Sequence, residues 1–272
     1  MTPLLKTEGL TVTFGGLNAN DGVDLIVEAG SFVGLIGPNG AGKTTFIDAI
    51  TGYVPASSGT ANFDGHDLSV LKPHKRSQLG LVRTFQSLEL FEDLSVRDNL
   101  LVAAHPARWY TLVLDILHLR QQTPEVDARV DWALEVVGLS EQADVLPTDL
   151  PHGQRKLVGV ARALAPQPKL VLLDEPAAGL DTAESSALGG HLRGLLDHDI
   201  TVFLVDHDMG LVLSVCDYIY VMDFGRVIAA GTPTEIRTNP DVRAAYLGKE
   251  TGEAQAHYAE ELHGLTGSED ER

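Results

Sequence analysis

The sequence predicts an α/β fold: a parallel sheet at the centre, a small antiparallel β subdomain beside it and an inserted α-helical subdomain. Three observations predict it. Leu170–Leu173 is a continuous apolar run of strand length, and Ser31–Ile36 and Ile200–Val205 also read as strands; each stops at glycine or at acids, as strands do at a ligand-binding sheet edge. A helical stretch of crossover length joins Leu170–Leu173 to Ile200–Val205. Shorter stretches, Leu10–Phe14 and Asp24–Val27, alternate apolar and polar residues like half-buried antiparallel strands.

Taken in chain order, Leu10–Phe14, Asp24–Val27 and Thr60–Phe63 are expected to form the small antiparallel sheet. Ser31–Ile36 then runs into GPNGAGKTT (Gly37, Pro38, Asn39, Gly40, Ala41, Gly42, Lys43, Thr44, Thr45), which fits G-x-x-x-x-G-K-[ST]. Its glycines let successive N–H groups turn inward, and a helix from Thr44 to about Ile50 adds its positive end. Lys43 is placed to bridge β- and γ-phosphates and the Thr44 hydroxyl to hold Mg²⁺. Gly80–Thr84 and Ile219–Met222 complete the parallel core, and Met222–Arg226 reads as a hairpin turn into Val227–Ala230. Between Gln86 and Leu150 the pattern is helical, over Ser95–Ala104, Trp109–Leu119 and Val126–Val137.

The end of the Leu170–Leu173 run carries the chemistry. Asp174 sits at the strand end, in reach of a metal through water beside Thr44. Glu175, one residue on, is expected to point the other way and polarise an attacking water as a general base. Ile200–Val205 ends at Asp206-His207-Asp208, which puts His207 on the same sheet edge, near a γ-phosphate.

These residues resemble the ATP-binding subunits of ABC transporters. LPHGQ (Leu150–Gln154) occupies the place of the family's LSGGQ signature, followed by RKLVGVARAL, LVLLDEP and AAGLD ending at Asp181. Gln86 in RTFQ fits the loop glutamine at the metal and γ-phosphate. Phe14 fits the ring that stacks on adenine, and His207 the switch histidine. The resemblance implies a P-loop NTPase with a RecA-like core over residues 4–248, a helical subdomain of about 86–155, and ATP and Mg²⁺ as cofactors. It implies a head-to-tail pair in which Gly153, Gln154 and Asp181 meet the partner's nucleotide. The wording of RTFQSLELFEDLSVRDNLLVAAH, VDHDM and GTPTEIRTNPDVRAAYLG is similar to the longer ATPase subunit of branched-chain amino acid importers. Urea or short-amide importers are the alternative. Permease subunits, a second ATPase subunit (a heterodimer, or else a homodimer) and, indirectly, an extracytoplasmic solute-binding protein are the implied partners, at the cytoplasmic face of the membrane. Phe91, Leu94, Trp109 and Tyr110 are candidates for the groove that receives a permease helix, or else they pack the inserted helices together. One departure stands out: Pro151 and His152 replace the signature's serine and glycine, removing a hydroxyl and, at proline, an N–H.

Composition sets further bounds. A net charge of −18 argues against nucleic acid as a partner, which needs a basic face. That weighs against soluble ABC-type ATPases acting on DNA or ribosomes. Intact Glu175 and His207 weigh against a subunit that binds ATP without hydrolysing it. No apolar run has the length to span a bilayer, and the lone Cys216 reads as a small core residue of a reducing compartment. Residues 249–272, with Glu253, Glu260, Glu261, Glu269 and Asp270, read as a mobile acidic tail, solvated or regulatory.

Overall fold

The computed structural model describes residues 3–84, 89–104 and 124–247. Gln86, Trp109, Tyr110, the expected helix Trp109–Leu119 and the acidic tail lie outside the described residues.

Strands β1 (Leu5–Phe14) and β2 (Leu17–Val27) form a hairpin closed by Gly15-Gly16, and β4 (Ser58–Phe63) and β5 (His66–Asp67) extend it into a four-stranded antiparallel sheet in the order β2-β1-β4-β5. Both hairpin strands begin earlier than expected. The alternation is interrupted at Gly9, where φ is +60° and the β1–β2 register shifts between Thr7 and Leu10. The Gly9 amide donates to Asp24 Oδ1 at 2.6 Å, so the irregularity is tied to the partner strand.

The second sheet holds β3 (Phe32–Ile36), β6 (Leu81–Arg83), β7 (Leu170–Asp174), β8 (Thr201–Val205), β9 (Tyr218–Asp223) and β10 (Arg226–Gly231), in the order β10-β9-β3-β8-β7-β6. Every pairing is parallel except the β9–β10 hairpin at one edge. β3, β7 and β8 are buried along their whole length, which is why their sequences are apolar without alternation. The first two run directly into the phosphate loop and the acids.

Two apolar clusters lie on opposite faces of this sheet. On one, Leu170, Leu172, Phe203 and Val205 pack with the antiparallel sheet and helix α1 (Lys43–Thr51), including Phe46 and Ile47. On the other, Val171, Leu173, Val202 and Leu204 pack with the helical side of the molecule. There α3 (Val96–Ala104), α4 (Pro124–Val136) and α5 (His152–Leu164) form the described part of the inserted subdomain, and α6 (Thr182–Gly194) and α7 (Met209–Val215) cross over between strands. α5 starts at His152, so Gly153 and Gln154 of LPHGQ lie in its first turn. Cys216 is buried as expected but lies just past the end of α7, in extended backbone. Among the described residues no helix is long and apolar enough to cross a membrane.

The far end of α1 is fixed by Arg76 on α2 (Pro73–Gln78). Its buried guanidinium donates to Ala49 O (2.7 Å) and Ile50 O (2.9 Å), satisfying two carbonyls that the helix leaves unpaired, and to Leu71 O (3.0 Å) in the segment before α2. A cation there also complements the negative end of the helix dipole.

Candidate nucleotide and catalytic site

The site is assembled where β3, β7 and β8 end side by side. Between β3 and α1, Gly42 adopts φ +102°, and an added Cβ would lie 2.3 Å from Ala19 O and 2.8 Å from Asn20 Nδ2. Glycine alone fits this position. The fully buried Asn20 of β2 donates to Gly42 O at 3.0 Å, and Gly225 N, in the β9–β10 turn, donates to Ala41 O at 2.8 Å. The loop is therefore braced from both sheets. No side chain caps the start of α1 and no acid stands in its first turn, so its N-terminal amides are left for an anion.

Lys43 is 6% exposed and donates to Gly37 O (2.6 Å) and Pro38 O (3.2 Å) at the loop's own entrance. Burial lowers its pKa, and Glu175, Asp174 and Asp206 act against that lowering. Lys43 thus shares one electrostatic neighbourhood with Asp174 and Glu175. Asn39, Gly40 and Thr44 are exposed beside it, and Pro38 and Thr45 are half-buried. Phe14, at the tip of the first hairpin, is 52% exposed, an aromatic face open to a stacking partner.

Asp174 ends β7 and is buried. Its carboxylate accepts from Arg83 Nη2 at 2.7 Å, and its amide donates to Thr84 Oγ1 at 3.3 Å. Glu175 departs from the simple strand alternation: its φ is +48°, a left-handed conformation that strains a non-glycine residue by about 1 kcal/mol or more. Its amide is held by Val205 O at 2.7 Å, so pairing to β8 sustains the turn. A cavity of about 200 Å³, lined by Arg83, Thr84, Lys156, Arg162, Asp174 and Glu175, gives water a place beside the two acids.

Asp206, at the end of β8, is fully buried. Its carboxylate accepts from the amides of His207 (2.7 Å), Asp208 (3.0 Å) and Ala177 (3.2 Å), joining the turn that bears His207 to the loop after Glu175. Burial raises its pKa and these amides act against that. The His207 ring is 58% exposed, with Nδ1 3.6 Å from Asp206 Oδ1. Asp208 caps α7 through Leu211 N and accepts from Ser185 Oγ of α6 at 2.8 Å.

A second group of expected residues gathers at the start of α5. His152 is exposed and Gly153 and Gln154 are half-buried. An added Cβ on Gly179 would lie 3.5 Å from His152 Nε2, and one on Gly153 would lie 3.6 Å from Glu184 Oε1. The turn therefore rests on the loop leading to Asp181. Asp181 itself caps α6 in a reciprocal box with Glu184. Pro151 is the N-cap of α5 and makes no side-chain bond to it.

The sequence profile described as ABC transporter matches residues 20–178. The chain belongs to the ABC transporter family, as one of its ATP-binding subunits. A second profile, described as branched-chain amino acid ATP-binding cassette transporter, matches residues 226–251. The chain is 40% identical, over 91% of its length and 98% of theirs, to the high-affinity branched-chain amino acid transport ATP-binding proteins BraF of Pseudomonas aeruginosa and LivG of Escherichia coli. Among solved structures, the ADP conformation of MJ1267, an ATP-binding cassette of an ABC transporter, is similar with a TM-score of 0.80 at 31% identity, covering 92% of this chain and all of that one. An ATP-binding subunit of this family binds and hydrolyses ATP.

Sequence reasoning missed three parts of this ABC site. These are the ion pair of Arg83, the amide-binding role of Asp206 and the left-handed backbone of Glu175, each of which depends on a partner far along the chain. The signal for Asp206 is an acid directly after the apolar end, Phe203–Val205, of a buried strand.

Proposed function

We propose that the chain is the ATP-hydrolysing subunit of an importer for branched-chain amino acids. The match of residues 226–251 to the profile for that transporter class carries the reading, and the names of the relatives BraF and LivG support it. The unit is residues 4–248, at the cytoplasmic face of the membrane, with about 86–155 gripping permease subunits. Its partner across ATP is a sister ATPase subunit.

In this reading Phe14 stacks on adenine, and the amides of Gly37–Thr45 cradle the phosphates. Lys43 exchanges the carbonyls of Gly37 and Pro38 for β- and γ-phosphate oxygens. The donor set at Thr44 and Asp174, with Gln86, suits Mg²⁺ because every donor in it is oxygen. Bound there, Mg²⁺ would supply charge neutralisation for the departing diphosphate. Glu175 accepts a proton from the attacking water, and His207 holds the γ-phosphate for in-line attack. Gly153, Gln154 and the uncapped start of α5 face the nucleotide of the partner subunit, and Asp181 couples the two sites. ATP favours the closed pair over the open one, and hydrolysis releases it.

The test is reconstitution with the two permeases, the sister ATPase and the binding protein. ATP hydrolysis is expected to rise with leucine-loaded binding protein and to vanish in Glu175→Gln. A rise with urea and none with leucine would replace the substrate assignment.

A further inference from the structure

Arg83 reaches two acids on two different elements. Its Nη2 lies 2.7 Å from Asp174 Oδ2, and its Nη1 pairs with Asp48 Oδ1 on α1. The side chains of Arg83 and Asp174 are 9% and 6% exposed, and that of Asp48 is 28%. Asp48 follows Thr44 by one helical turn, so the two share a face of α1. One guanidinium therefore ties the helix bearing Thr44 to the strand bearing Asp174. The backbone leaves it little choice of place: Thr84 N donates to Leu172 O at 2.9 Å, locking β6 to β7 one residue on from Arg83.

We propose that the Asp48–Arg83–Asp174 triad sets the divalent-cation affinity of the nucleotide site, with Arg83 holding one oxygen of Asp174 and leaving the other to face the metal. This rests on the reading of Thr44 and Asp174 as the metal-holding pair. Two carboxylates and one guanidinium carry a net charge of −1 in a mostly buried setting. Neutralising Asp48 brings the triad to zero and weakens its pull on a divalent cation. Neutralising Arg83 leaves −2 and strengthens it. A purely structural strut makes a different prediction, since losing either end would loosen the same joint and weaken metal binding in both cases.

The experiment measures binding of a fluorescent ADP analogue to the full chain during Mg²⁺ titration, where no turnover occurs. In the wild type, binding tightens with Mg²⁺, and Asp174→Asn removes that dependence. If Asp174→Asn keeps it, the metal-site reading fails, whatever the triad does. Given that control, Arg83→Gln is expected to lower the Mg²⁺ midpoint about threefold or more and Asp48→Asn to raise it about threefold or more, the scale for one charge a helical turn away at a partly buried site. Arg83→Lys keeps the charge and is expected to stay within about twofold of the wild type. If Arg83→Gln does not fold, Asp48→Asn and Arg83→Lys still decide. Midpoints that shift in the same direction in Arg83→Gln and Asp48→Asn overturn the proposal, as does an Asp48→Asn midpoint unmoved from the wild type.

Discussion

Replacing Asp206 with alanine should damage both stability and turnover, and the structure sets the size of each effect. The carboxylate accepts three backbone amides, of which the bond from Ala177 is buried and those from His207 and Asp208 are partly buried. A buried donor left without an acceptor costs about 2 kcal/mol, and each of the others, which water reaches, about 0.5–1 kcal/mol. Against this sum of about 3–4 kcal/mol stands the relief of removing a buried charge, so a net loss of about 2–3 kcal/mol is expected. For a chain of this length that lowers the melting temperature by roughly 5–10 °C in calorimetry. Asp206→Asn keeps one acceptor oxygen and should lose about half as much. The pH dependence has a definite sign. Burial raises the Asp206 pKa above its ordinary value of 3.8, so its favourable contribution is complete below 3.8 and is lost as pH climbs through the raised folded-state value. The deficit of Asp206→Asn against wild type should therefore widen as the solution is acidified from neutral. Turnover should fall further than nucleotide affinity, because His207 loses its anchor while the phosphate loop is untouched. An Asp206→Ala protein melting within 1 °C of wild type would refute the reasoning.

Other substitutions test other parts. Gly42→Ala forces a Cβ against Ala19 O at 2.3 Å and should weaken ATP binding at least about 100-fold in equilibrium titration, with a lowered melting point. Arg76→Ala should cost about 3 kcal/mol in denaturant unfolding by orphaning carbonyls at the end of α1, yet leave nucleotide affinity of the folded protein within about threefold. Phe14→Ala removes an exposed ring and should raise the nucleotide Kd about tenfold, the loss of roughly 1.4 kcal/mol of stacking, without changing stability. Pro151→Ser in a Glu175→Gln background should increase ATP-driven dimerisation in size-exclusion chromatography. An unchanged dimer fraction would show that the missing hydroxyl is dispensable in this chain.

Much of this molecule is legible from local pattern. The central strands read clearly because burial on both faces demands unbroken aliphatics, and the phosphate loop because its backbone demands fixed glycines. Asp174 and Glu175 follow from the abrupt end of Leu170–Leu173. What escaped has a common physical origin. The first hairpin is longer than its alternation suggests because the irregularity at Gly9 breaks a period-two pattern that is otherwise present. Arg83 and Arg76 look like ordinary surface cations until tertiary structure brings Asp174 and the end of α1 to them. The left-handed backbone of Glu175 is sustained by Val205, and no local rule assigns that conformation to glutamate.

The division of β7 between two cores bears on how this segment tolerates change in length. Leu170 and Leu172 belong to the cluster around α1, and Val171 and Leu173 to the helical side. The same parity carries on to the strand's end, where Asp174 turns to the guanidinium shared with α1. Insertion or deletion of a single residue here would trade the two faces in one step. Both cores would receive each other's side chains, and the acid at the strand tip would no longer meet Arg83. Point substitutions among these aliphatics are graded in cost, whereas a shift in frame is all-or-none. The five residues of β7 thus act as a ruler whose length, more than its lettering, has to be kept.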